Sequence, residues 1–267
     1  MNPSLNGLTV LVTRPEHQAG PLCQLIAQHD GYAIRCPALV IGEPQNWTPA
    51  LAVLDRLDRY DLAIFTSANA VDRAMPLIQQ RGGIPPRLEI TAIGKATAQA
   101  LARYGINPSV QPAQGFTSET LLALLRFQPE VVNSQAMVIV RGEGGRGLLA
   151  ETLSARGAHV DHAEVYRRKQ PTTDLSALLE RWQRGQIGAV VVASGESLLN
   201  LFDMLGAAGQ DYLRETPLIV VSGRIQHLAA AQGCRRILIA QEASDDAILT
   251  ALLHLTTPFS SSVRYTT

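Results

Sequence analysis

The stretch Val138-Ile-Val-Arg-Gly-Glu-Gly-Gly-Arg-Gly147 decides how this chain is read. An apolar run ends abruptly at Arg141, and a glycine-rich turn opens onto a helical pattern over residues 148–156. Gly142, Gly144 and Gly147 meet the spacing G-x-G-x-x-G in a strand-then-helix context. In dinucleotide-binding folds that arrangement brings bare backbone and a helix amino end to a pyrophosphate. Taken alone, the loop predicts a nucleotide site, with Asp161 or Glu164 further on as the ribose acid. The loop has a counterpart near the start of the chain, however, and that counterpart, Thr13-Arg14-Pro15, carries no glycine.

The counterpart belongs to a repeat. Overlaying the chain on itself at an offset of about 127 residues sets Thr13 near Arg141, Gly31 near Gly157, Ser67 on Ser194 and Gly105 near Gly233. It also sets the leucine-rich run 121–125 on 249–253. Periodicity predicts strands over 8–12, 32–36, 62–67, 89–93 and 108–111 in the first half. The second half repeats them over 137–140, 158–165, 189–193, 218–221 and 237–239, with helices between. Each half therefore reads βαβ, an extended proline-bounded stretch, then βαβαβα. That order predicts an α/β fold with parallel sheets flanked by helices, in two similar lobes.

Composition narrows the function. Of 267 residues only 17% are charged, and 23 lysines and arginines balance 23 aspartates and glutamates. No global field draws in nucleic acid or a membrane surface, so anion binding must come from local clusters. Apolar runs are strand-length, well short of a membrane span. The polar N-terminus runs directly into a strand pattern, and Cys23, Cys36 and Cys234 are an odd, widely spaced set. Together these predict a cytoplasmic protein with reduced thiols. No long apolar helix face is left over, which points to a monomer. His159-Val-Asp161-His162 has a metal-like look, but alternation along a strand separates His162 from the other two. No metal or cofactor is expected.

Ligands of open parallel sheets sit beyond the carboxyl ends of the strands. The residues there share one chemistry: Thr13-Arg14, Thr66-Ser67-Ala68-Asn69, Gly94-Lys95, Thr117-Ser118, Arg141-Gly142, Ser194-Gly195 with Ser197, Ser222-Gly-Arg224 and Ser244-Asp245. Small hydroxyl residues and glycines leave the first N–H groups of the following helices open, and these carry the positive end of the helix dipole. Arg14, Lys95, Arg141, Arg146 and Arg224 add formal charge. Any one such cap is an ordinary helix start. Their recurrence at matching points of both halves predicts a cleft for a polyanionic ligand.

The ordered set resembles the uroporphyrinogen-III synthase family. The pieces that carry the resemblance are Leu11-Val-Thr-Arg-Pro15, Phe65-Thr-Ser-Ala-Asn-Ala-Val71, Ala92-Ile-Gly-Lys-Ala-Thr-Ala98, Phe116-Thr-Ser-Glu119, Arg141-Gly-Glu-Gly-Gly-Arg146 and Val165-Tyr-Arg167. They span about residues 8 to 255. The resemblance implies flavodoxin-like lobes in which the first βαβ of each half is exchanged into the sheet of the other. One lobe would comprise 1–36 plus 172–258 and the other 40–166, with extended linkers at about 37–44 and 166–171 and a flexible tail at 259–267. It also implies a reaction: hydroxymethylbilane, a linear tetrapyrrole with eight carboxylates, loses water and closes with inversion of its last pyrrole. The product is uroporphyrinogen III. The family's cleft tyrosine falls on Tyr166, as proton donor to the leaving hydroxyl; a phenol is a weak acid, protonated at neutral pH. Transient contact with the enzyme that makes hydroxymethylbilane is a further implication.

Two other classes stay open at this point. One is a nucleotide-dependent enzyme using Gly142, Gly144 and Gly147. The other is a non-catalytic two-lobed anion-binding protein.

Overall fold

The computed structural model describes residues 3–112 and 114–256. The tail expected at 259–267 lies outside the described residues. In chain order the elements are β1 (Thr9–Val12), α1 (Glu16–Gln28), β2 (Tyr32–Arg35), β3 (Val40–Gly42), α2 (Thr48–Leu54), β4 (Leu62–Phe65) and α3 (Ala68–Gln80). Then come β5 (Glu89–Ala92), α4 (Lys95–Ala102), α5 (Ser118–Leu122), α6 (Pro129–Val132), β6 (Ala136–Gly142), α7 (Leu148–Ala155) and β7 (His159–Lys169). The last are α8 (Ser176–Gln183), β8 (Ala189–Val192), α9 (Gly195–Glu215), β9 (Leu218–Val220), α10 (Gly223–Ala231), β10 (Ile237–Ile239) and α11 (Asp245–Thr256).

Two compact units result. The first joins the chain up to Val40 with the chain from Lys169 onward; the second is Ile41–Arg168. The first holds a five-stranded sheet of order β10-β9-β8-β1-β2, parallel at every pairing. The second sheet has the order β3-β7-β6-β4-β5, and β7, β6, β4 and β5 pair in parallel. Thus β1 and β2, from the start of the chain, complete the sheet of β8, β9 and β10, whereas β6 and β7 complete that of β4 and β5.

The sequence forms these layers for a simple reason. Leu62-Ala-Ile-Phe65 and Ala189-Val-Val-Val192 are buried throughout, as strands covered by helices on both faces must be. Alternation then sorts side chains between faces. Val138 and Val140 join one core of the second unit, and Met137 and Ile139 join the other. Val190 and Val192 face one core of the first unit, Ala189 and Val191 the other. The repeat also shows in the backbone: Gly7 (φ 77°) and Ser134 (φ 63°), like Asp30 (φ 58°) and Gly157 (φ 89°), take left-handed turns at the same offset of about 127 residues.

One expectation changes and one is filled in. The strand expected over 108–111 reduces to a single parallel bridge from Val110 to Thr91, because Pro108 and Pro112 have no N–H to extend a ladder. The linker stretch from Tyr166, where a short ladder between the two linkers is what the family resemblance implies, is strand as far as Lys169: β6 pairs with it no further than Tyr166, and its other neighbour is β3 from the first linker. Among the described residues no helix is long and apolar enough to cross a membrane.

Candidate active site

The ladder between β6 and β7 runs in step from Ala136 opposite His159 to Arg141 opposite Glu164. It then shifts by one, and Gly142 lies opposite Tyr166. A one-residue shift turns a side chain to the other face of a sheet. In an unshifted ladder Tyr166 would share the face of Met137 and Ile139. The bulge brings it to the face of Val138 and Val140, so Ala163, Val165 and Tyr166 all enter one core. Tyr166 is 4% exposed.

Two contacts fix the phenol there. Its ring lies against Gly142, where an added Cβ would stand 2.5 Å from Cζ and 3.0 Å from the hydroxyl oxygen. Only glycine permits that approach. The hydroxyl oxygen is 3.1 Å from Ser67 Oγ. Ser67 is the N-cap of α3 in extended conformation, and its Oγ accepts the Ala70 N–H at 3.1 Å. The serine is thus held from behind by the helix it caps and faces the tyrosine in front.

Arg141 organises the glycine loop. Its side chain is 11% exposed, and its guanidinium donates to the carbonyls of Gly142 at 3.2 Å and Arg146 at 3.3 Å. Its nearest carboxylate, Glu164, is 4.0 Å away. An added Cβ on Gly145 would meet Arg141 Nη2 at 2.2 Å, so the guanidinium occupies the space that glycine leaves. Gly144 takes φ +69°, and the Glu151 carboxylate folds back beside Gly147. The loop glycines therefore serve a phenol, a guanidinium and a tight turn, where the fingerprint reading expects backbone bared for a ligand.

A cavity of about 360 Å³ opens at this end of the second sheet. Thr66, Ser67, Thr117, Ser118, Arg141, Gly142, Arg146 and Tyr166, all expected from sequence, line it. Phe116, Gly145 and Arg168 also line it. Ala68 and Asn69 form the first turn of α3 beside it, and Lys95 stacks over the Phe116 ring at 5.4 Å. Gly94 caps α4. Thr117 makes a capping box with Thr120. Arg146 is exposed and pairs with Glu119 at 2.7 Å. The Glu119 carboxyl is held below its ordinary range by its own backbone N–H and then by Arg146.

Known proteins resemble this chain along most of its length. The profile described as "Uroporphyrinogen-III synthase HemD" matches residues 21–250. The chain is 35% identical over 248 residues to the uroporphyrinogen-III synthase of Escherichia coli K12, covering 92% of this chain and all of that one. It is 32% identical to the Salmonella typhimurium LT2 enzyme over 247 residues, with the same coverage. The chain belongs to the uroporphyrinogen-III synthase family. Solved uroporphyrinogen III synthases share its fold. That of Thermus thermophilus aligns at TM-score 0.63 and 16% identity, over 94% of this chain and 99% of that one. That of Helicobacter pylori 26695 aligns at 0.58 and 14%, over 93% and 99%.

The first unit of this uroporphyrinogen-III synthase family member carries the rest of the expected residues. Thr13 is buried and donates to the Val191 carbonyl at 2.9 Å. Arg14 is ion-paired with Asp245 in the first turn of α11. Ser194 caps α9, followed by Gly195, and its hydroxyl donates to Ser197 at 2.8 Å. Ser222 caps α10, whose first turn holds exposed Arg224. Another cavity, of about 1110 Å³, is at the amino ends of β1, β2 and β8. It includes none of the expected residues and is at the wrong end of a parallel sheet for them.

The nucleotide reading loses its parts. Tyr166 covers Gly142, where a pyrophosphate would need open backbone. Asp161 accepts from Tyr60 at 2.6 Å and Arg56 at 3.0 Å and is not free for a ribose. Sequence reasoning missed the bulge and the contact of Ser67 with Tyr166. Its one signal was a glycine at the end of a strand opposite an aromatic residue.

Proposed function

We propose that this chain cyclises hydroxymethylbilane to uroporphyrinogen III, as a lyase of tetrapyrrole biosynthesis. The observation that carries the reading is the Tyr166 hydroxyl, fixed by Gly142 and Ser67 at the wall of a cavity that also holds Arg141, Arg146 and Arg168. Those cations suit the carboxylates of a linear tetrapyrrole. Tyr166 gives its proton to the terminal hydroxyl as the carbon–oxygen bond breaks, so that water leaves and the pyrrole electrons fill the carbon's demand. Ring closure passes through a spiro intermediate and releases a carbon-bound proton, which returns to the phenolate. Atoms balance as substrate gives product plus water. Most of the remaining acceleration comes from holding the chain in a folded geometry that closes with inversion.

The three free cysteines support a cytoplasmic setting, and a substrate able to close without assistance supports direct transfer from the enzyme that makes it. The test couples porphobilinogen conversion to hydroxymethylbilane with this protein and separates the product isomers. The type III isomer is expected. Type I alone, from unassisted closure, would refute the assignment.

A further inference from the structure

The Ser67 hydroxyl does more than cap a helix. Its oxygen already accepts the Ala70 N–H. Its one hydrogen is then available for a second partner, and Tyr166 lies at 3.1 Å. The other half of the repeat gives the direction. Ser194, at the matching position, accepts from the Ser197 N–H at 3.0 Å and donates its hydrogen to the Ser197 hydroxyl at 2.8 Å. The residue matching Ser197 is Ala70, which has no side-chain acceptor. The hydrogen that is spent within the helix at Ser194 is left over at Ser67.

We infer that Ser67 is a positioning residue that donates to the Tyr166 oxygen, turning the tyrosine's own hydrogen into the cavity and stabilising the phenolate as the proton leaves. The inference rests on Tyr166 being the proton donor. The chain of donors runs from the Ala70 N–H to Ser67 to Tyr166, with the amino end of α3 behind it. That helix end favours negative charge, and a hydrogen bond to an anionic oxygen is stronger than one to a neutral oxygen. The benefit therefore grows as the carbon–oxygen bond breaks, which places it in kcat and not in KM.

The test is a double-mutant cycle in the isomer-resolved assay. Ser67→Ala should lower kcat about tenfold and leave KM within about twofold. Ser67→Thr, which keeps the hydroxyl, should restore turnover to within about twofold. Ser67→Asp keeps a strong cap but cannot donate, so it should lower kcat as Ser67→Ala does without loss of thermal stability. In a Tyr166→Phe background, Ser67→Ala should cause no further loss. An equal fold loss in both backgrounds would make Ser67 a helix cap only and overturn the inference, as would full turnover by Ser67→Ala. Unchanged turnover in Tyr166→Phe alone would remove the proton-donor role of Tyr166, and the inference with it.

Discussion

The rims of the two sheets were built from one plan and diverge at a few atoms. Ser67 and Ser194 cap helices in the same extended conformation, at matching points of the repeat. Ser194 closes its hydrogen bonds on its own helix, and Ser67 reaches a tyrosine. Where the second unit has Gly142 and Tyr166, the first has Pro15 and Leu39. A proline cannot open the space a phenol ring needs, and a leucine has no proton to give. The equivalent arginines differ as well: Arg14 is neutralised by Asp245, whereas Arg141 is tied to carbonyls with its nearest carboxylate at 4.0 Å. Duplication supplied two anion-friendly strand ends, and one of them acquired the tyrosine that we propose as the acid.

The comparison breaks most visibly at Gly142. Gly142→Ala should push the Tyr166 ring off its seat and cut kcat about 100-fold, since an ångström of misplacement costs that much. The folded state should persist, as judged by circular dichroism. Turnover within about threefold of the unaltered protein would show that the ring contact is incidental.

The two arginines give the next largest contrast. Arg141→Ala should raise KM about tenfold, because the cavity loses a buried charge and the loop its scaffold. Arg14→Ala should raise KM less and cost about 1 kcal/mol of stability through the lost pair with Asp245. Equal KM effects would mean that the carboxylate does not neutralise Arg14.

How far the sequence reaches can be judged from these residues. Buried strands such as Ala189–Val192 announce themselves by composition, and the repeat follows from caps and left-handed turns at a constant offset. Strand-end positions such as Ser67 and Arg141 follow from topology. The bulge before Tyr166 does not, because a register shift is a tertiary outcome that leaves the alternation of His159 to Glu164 intact. Nor does the partner of an arginine: Arg14 and Arg141 look alike in sequence, and only the fold brings Asp245 to one of them. The glycine fingerprint misleads for the same reason. It records that a Cβ is excluded but not by what.

A smaller contrast lies within the second unit's own core. Tyr60 bonds Asp161, whereas the matching residues of the first unit are Ile187 and Ile34, both packed in an apolar core. Burial, with the bond to Asp161, pushes the Tyr60 phenol up from 10.0 to about 12. Between those values the unfolded chain releases a proton that the folded chain keeps, so stability falls as pH rises across that window. Tyr60→Phe should flatten that fall when urea midpoints are followed from about pH 10 to 12. An unchanged slope would detach the pair from stability.

The most direct test of the account is the turnover of Tyr166→Phe in the isomer-resolved assay. The predicted result is type III product formed about 100-fold more slowly, with KM within about threefold of the unaltered protein. An unchanged kcat would contradict the claim that the second unit's rim holds the acid.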